Sequence, residues 1–340
     1  MRPQTSINWT RCVVCLACIY FIAAWLFSVA LGRQNLFHPG MYLRGYLYTY
    51  LVVILPYLMA GAWRSFRLPS LFSLIRWPQH DLTESCRRVL GALPLLIVMP
   101  FFMAAFTTMK NLISLAIPFT WDPALTAMDA AIHFGRQPWQ WIGIGNWALT
   151  LFIDLLYIAW VSLLTLVQVF MALRAPQDPV RNTFFLLYVI SFILLGNVAA
   201  AVFMSAGPFF PGPNGHPDPA FEPLMSYLWH GSETALLKAT FYQQYLLAAY
   251  RSGLAEFGSG ISAFPSMHVA ITMLYVLAAW RHPIWRGLAV CLLVAMTIGS
   301  VHLGWHYAVD GYASIIAMIA LWRLAYPLVC RYTSNGVSAA

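Results

Sequence analysis

Residues 264–310 read FPSMHVAITMLYVLAAWRHPIWRGLAVCLLVAMTIGSVHLGWHYAVD. Two apolar runs, 266–281 and 285–301, meet at the breaker His282-Pro283, and ionisable residues stand at the far end of each. At about 1.5 Å rise per residue either run is roughly 25 Å long, close to the hydrocarbon thickness of a bilayer. The stretch therefore predicts a helical hairpin that crosses a membrane twice and returns His302 and His306 beside Ser266 and His268. Ionisable residues at membrane depth are costly and are usually kept for function.

The rest of the chain agrees with a membrane setting. Its 340 residues are 61% hydrophobic and 9% charged, whereas a soluble domain carries about 25% charged residues. Eight segments have the length and apolarity of a spanning helix: 12–31, 43–62, 89–109, 147–171, 183–205, 266–281, 285–301 and 306–327. The expected fold class is all-α, a polytopic membrane helical bundle of about eight transmembrane helices. The first run exceeds the roughly 7–15-residue core of a signal peptide and reads as a retained helix.

Arg2, Arg11, Arg64, Arg67, Arg76, Arg87, Arg88, Arg174, Arg181, Arg281, Arg286, Arg323 and Arg331 fall on one side of such a bundle, thirteen of the nineteen Lys and Arg. The positive-inside rule then puts both termini in the cytoplasm and 32–42, 110–146, 206–265 and 302–305 on the other side. The net charge of +8 is thus a topology signal, and no basic cluster is long enough for a nucleic-acid arm. Cys12, Cys15, Cys18, Cys86, Cys291 and Cys330 read as small packing residues rather than a disulfide framework.

Residues 206–223 are too rich in Pro and Gly for regular helix. Pro123 to His133 looks helical and precedes Trp139 and Trp141, which suggests an interfacial or re-entrant piece. Asp129 and His133, four apart, read as a local structural pair. Gln168 and Asn197 read as helix–helix hydrogen-bonding groups; Asp154, near a helix start, is either that or a group facing the site.

His306 and Asp310 are i,i+4 and share a helix face, so the carboxylate can hold one ring nitrogen and free the other as nucleophile or base. His268, from another helix, suits the complementary acid/base role. Pro265-Ser266 at a helix start offers free N–H groups and the positive end of a dipole to an anion such as phosphate, and the Ser266 hydroxyl adds a donor. Arg251, fifteen residues before Ser266, is the favoured charge clamp, with Lys110 and Lys238 behind it. His302 is a supporting or merely interfacial histidine. His302, His306 and Asp310 at i, i+4, i+8 also have a spacing found among zinc ligands. That is the lesser reading, because Pro-Ser-x-His opposite suits phosphate.

Pro265-Ser266-Met267-His268, followed 38 residues later by a His-x-x-x-Asp histidine, resembles the second and third motifs of the type-2 phosphatidic acid phosphatase superfamily. Trp121-Asp122-Pro123 with Asp129, Ser205-Ala206-Gly207-Pro208, and the words 264–268 and 304–310 are similar to one branch, the inositol phosphorylceramide synthase-like membrane proteins. The resemblance implies a metal-independent enzyme without a cofactor. In it His306 is the nucleophile that becomes phosphorylated, Asp310 orients it, and His268 acts as acid and then base. The chain departs from the wider pattern at Gly299-Ser300, where a Ser-Arg pair is usual. The first motif, a Lys and an Arg-Pro seven residues later, has no clean match. On this reading 1–88 are N-terminal helices with a cytoplasmic connection, 89–330 a catalytic membrane domain and 331–340 a cytoplasmic tail.

The expected function is transfer of a phosphorylated head group, inositol phosphate by the resemblance, from a phospholipid donor to a lipid hydroxyl such as ceramide. The alternatives are a lipid phosphate phosphatase that transfers to water, and a non-catalytic lipid or ion transporter with a His/Asp relay. The site is expected on the extracytoplasmic side of a plasma or inner membrane, or of the Golgi in a eukaryote.

Overall fold

A computed structural model describes residues 7–65, 81–210, 218–234 and 237–333. Arg67 and Arg76, the Pro-rich run 211–217 and residues 334–340 of the expected tail lie outside the described residues. Helices α1 (Trp9–Ala30) and α2 (Leu43–Ser65) pack on α3 (Leu82–Ala116). Two short helices, α4 (Asp122–Ile132) and α5 (Pro138–Ile142), lead to α6 (Trp147–Ala172). Helix α7 (Pro179–Ile193) runs through a π-helical turn, Leu194–Ala199, into α8 (Ala200–Val202). After α9 (Glu222–Thr234) and α10 (Lys238–Ser252) come α11 (Met267–Ala278), α12 (Pro283–His302) and α13 (Ala308–Thr333).

Among the described residues seven helices, with α7 and α8 taken together, are long and apolar enough to cross a membrane. This is the all-α membrane bundle that the composition predicts. Ile19 and Leu26 on α1, Leu51 and Leu55 on α2, Ile284 and Leu288 on α12, and Ile316 and Leu324 on α13 are exposed and form its apolar outer surface. Only lipid makes such a surface favourable. Three of the spanning helices begin at side-chain caps. Asp81 accepts from Glu84 N (2.8 Å), Asn146 from Leu149 N (3.1 Å) and Asp178 from Val180 N (2.8 Å), each satisfying a donor that the helix itself leaves open.

One expectation needs correction, and one region holds helices that the sequence did not predict. The expectation concerns α11. It has 12 residues instead of the sixteen of 266–281, and at about 1.5 Å each it is some 18 Å long, short of a bilayer core. Every residue from Val269 to Val276 is buried, with α7, α12 and α13 around it. A helix sheathed in protein need not match the lipid thickness. The region is 206–265, which holds two helices, α9 and α10. Their polar sequences carry no spanning signal, and their placement depends on distant partners described below.

At the end of the bundle where α6 stops and α7 starts, Arg181 is fully buried. It donates to Ala172 O (3.2 Å) and Gly91 O (3.4 Å), to Thr10 Oγ1 (3.0 Å) and to Asn182 Oδ1 (3.1 Å). One cation thereby ties α1, α3, α6 and α7 where α6 presents its negative end.

Candidate active site

At the other end of the bundle the two histidine motifs meet. Helix α12 stops at His302, and Gly304 at φ 71° turns the chain. A Cβ there would lie 2.8 Å from Met225 Sδ, so both the angle and the space call for glycine. Trp305 N and His306 N then both donate to Ser300 O (2.9 and 3.1 Å) before α13 begins. His302 and His306 are therefore not on one helix, and the i, i+4, i+8 spacing read as a zinc-like set does not exist in space. His302 is buried, with Nε2 bonded to Thr150 Oγ1 at 2.9 Å, away from the cavity wall. It is not at the water interface, and the structure does not bring it to the phosphate position expected of it.

His306 Nδ1 lies 3.2 Å from Asp310 Oδ2, which also accepts from Tyr307 N (3.1 Å). The expected pair is present, though by another route. His306 precedes the helix, and Asp310 reaches back from its first turn. Nε2 is thereby the ring nitrogen with no protein partner among the described residues. The His268 ring stands 5.7 Å from that of His306, at 67°. It lies against Tyr157 (4.7 Å between centroids, 29°) and Trp160 (4.3 Å) on α6. Thr272 Oγ1 donates to His268 O (2.7 Å) and accepts from Trp160 Nε1 (3.0 Å), which fixes the helix turn that carries the ring.

Three carboxylates hold backbone at this end. Asp129 accepts from Ala308 N and Val309 N (2.8 and 2.9 Å) and so caps α13. Burial pushes its carboxyl above the usual range, and these two N–H groups pull it back. Asp122 accepts from Ala206 N, Gly207 N and the Tyr307 hydroxyl (2.9, 2.8 and 2.9 Å). Burial, then the Asp122 charge, keep that phenol protonated well above its ordinary value. Asp154 accepts from Lys238 N and Ala239 N, both at 2.8 Å, and caps α10. The local pair expected of Asp129 and His133 is corrected accordingly. His133 Nδ1 bonds the Asp129 carbonyl (2.8 Å), while the carboxylate serves a helix 179 residues away. Gln168 and Asn197 bond Tyr46 and Tyr20 on other helices.

Among the described residues no carboxylate occupies the start of α11. Among the described residues no side chain accepts from its first N–H groups, and Ser266 Oγ is buried without a partner. A helix start so left, beside two histidines, is suited to an anion. A cavity of about 380 Å³ opens there. Its inner wall is His268, His306, Tyr157, Phe106 and Trp305. Its outer wall includes Val161 and Ser162, exposed on membrane-spanning α6, and Tyr242 and Phe257. The mouth thus opens on the apolar outer surface of the bundle.

Lys110 on α3 is the Lys or Arg on this wall, and it reaches His268 electrostatically. Arg251 is not on the wall. Ala239, Tyr242 and Leu246 set the cavity face of α10, and residue 251 lies about 140° around the helix from 246. Arg251 is exposed in the last turn, and Lys238, exposed at the first, is also off the wall. Of the three basic residues expected from the sequence, Lys110 lies on the wall and Arg251 and Lys238 do not, because helix face and not chain distance decides what meets the cavity. Sequence reasoning also missed Tyr157, Trp160 and Trp305. Their spacing on α6, and the tryptophan between Gly304 and His306, carry no signal that separates them from lipid-facing aromatics.

Among comparisons with known proteins, no curated protein and no solved structure matched the chain. Residues 123–324 match the PAP2 superfamily. That stretch covers more than half of the chain and contains both histidine motifs, Asp129, Asp154 and the helices that bring them together, so the chain belongs to the PAP2 superfamily.

Proposed function

We propose that the chain is a membrane lipid phosphotransferase working through a phosphohistidine at His306. Membership of the superfamily supports lipid phosphate chemistry in general. The observation that carries the finer reading is the His306–Asp310 pair facing His268 across 5.7 Å on the wall of a lipid-facing cavity. A phospholipid enters sideways, and its phosphate lies at the start of α11 near Lys110. His306 Nε2 attacks phosphorus, and the bond from phosphorus to the lipid oxygen breaks. Protonated His268 gives its proton to that oxygen. Neutral His268 then takes a proton from an acceptor hydroxyl, which attacks phosphorus and breaks the P–N bond. Asp310 holds Nδ1–H and supports the positive charge on the ring.

The apolar wall around His268 favours a lipid hydroxyl over water as acceptor, in keeping with the inositol phosphorylceramide synthase-like branch. Both termini are read as cytoplasmic and the site as extracytoplasmic, since α3, α7 and α12 carry their arginines at the opposite end and Arg174 follows α6 there. The test is to incubate the purified chain in vesicles with head-group-labelled phosphatidylinositol, with and without ceramide. A labelled ceramide product supports the transferase. Released water-soluble phosphate alone favours the phosphatase, and lipid movement without chemistry favours a transporter.

A further inference from the structure

We propose that α4 is a positioning clamp for the nucleophile, with Asp122 and Asp129 holding residues 307–309 so that His306 and Asp310 keep their register. The proposal rests on the reading of His306 as the nucleophile. Asp122 and Asp129 are seven residues apart, hence within about 20° of one line on the helix surface. Their partners are the three residues that separate His306 from Asp310. The Tyr307 hydroxyl donates to Asp122 (2.9 Å), and Ala308 N and Val309 N donate to Asp129 (2.8 and 2.9 Å). One turn further on, His133 Nε2 lies 3.0 Å from the Tyr312 hydroxyl.

The clamp is also tied to the other histidine. Asp122 accepts from Ala206 N and Gly207 N. The adjoining Ser205 accepts from Ala263 N at its carbonyl (2.9 Å) and from Phe264 N at its hydroxyl (3.1 Å). Those donors immediately precede Pro265 and the helix of His268. One short helix thus references both histidine segments to a single frame. Asp129 also offsets the positive end of α13, whereas the start of α11, beside the histidines, has no side-chain acceptor among the described residues.

The test uses the full chain in vesicles with labelled phospholipid, reading the rate of enzyme labelling and its dependence on lipid concentration. Absence of label in the wild type would sink the phosphohistidine reading itself. Given wild-type labelling, Asp129→Asn should slow it by about tenfold or more, because an error near 1 Å in placement is enough for such a loss, with KM changed less than about threefold. Tyr307→Phe removes one bond and exposes no backbone group, so it serves where Asp129→Asn folds poorly, and it should slow labelling about three- to tenfold. Folded variants that label at the wild-type rate would overturn the proposal. So would a loss confined to the yield of folded protein, with specific activity unchanged.

Discussion

The two ends of the bundle solve opposite problems with opposite charges. At the arginine-rich end α6 finishes, and Arg181 satisfies carbonyl oxygens of α6 and α3. At the histidine end helices begin, and Asp129 and Asp154 satisfy the N–H groups of α13 and α10. Both arrangements match charge to helix polarity. The difference is in completeness. The Arg181 guanidinium makes four hydrogen bonds in tying four helices together. The histidine end leaves the start of α11 without a side-chain acceptor among the described residues, and places two histidines and a lysine beside it. The first end is built to hold, and the second is built to hold everything except one anion.

The largest effects should come from the histidines. His306→Ala should reduce turnover to background, and His268→Ala by about 10²–10⁴-fold, both in protein that folds normally. Asp310→Asn should be nearly as severe, because an amide can hold the ring in the wrong tautomer. Product assays beside a melting curve for each variant check these, and a folded His306→Ala protein with substantial turnover would erase the functional contrast between the ends.

Lys110 comes next. Lys110→Ala should lower kcat/KM by about 10²-fold, the scale of one lost donor to a developing anion, while Arg251→Ala should stay within about threefold, as expected of an exposed interfacial group. The opposite ranking would move the phosphate site toward the end of α10. Arg181→Met should show the mirror-image behaviour. It strands buried carbonyl groups of α6 and α3, so the melting temperature should fall by roughly 5 °C, with kcat of the folded fraction unchanged. A fall in kcat without a fall in stability would join the two ends functionally. The smallest effect should be that of a chelator. Turnover in EDTA should stay within about twofold of the untreated rate, because a helix start and Lys110 supply the charge that a metal would otherwise give. Loss restored by zinc would revive a metal mechanism.

How much of this was legible in the sequence follows from the range of the interactions. The hairpin, the bundle and the His306–Asp310 pair were readable because they depend on neighbours within a few residues or on apolar length. Helix α11 was overestimated because hydropathy cannot tell a helix in lipid from one sheathed in protein. Helices α9 and α10 were missed because polar sequence gives no spanning signal and because α10 is pinned by Asp154, 84 residues earlier. Asp129 was assigned to His133 because four residues is a visible spacing and 179 is not. The preference for Arg251 over Lys110 followed distance along the chain, where the decisive quantity is which helix face meets the cavity.

The most direct measurement is rapid quenching of the purified chain in vesicles with head-group-labelled phospholipid, followed by peptide mapping of the labelled protein. The account predicts that label appears on the peptide containing His306, through a bond stable to base and labile to acid, that it is discharged on adding the acceptor lipid, and that it is absent from His306→Ala. Turnover with no label on any histidine, or with label on His268 instead, would contradict it.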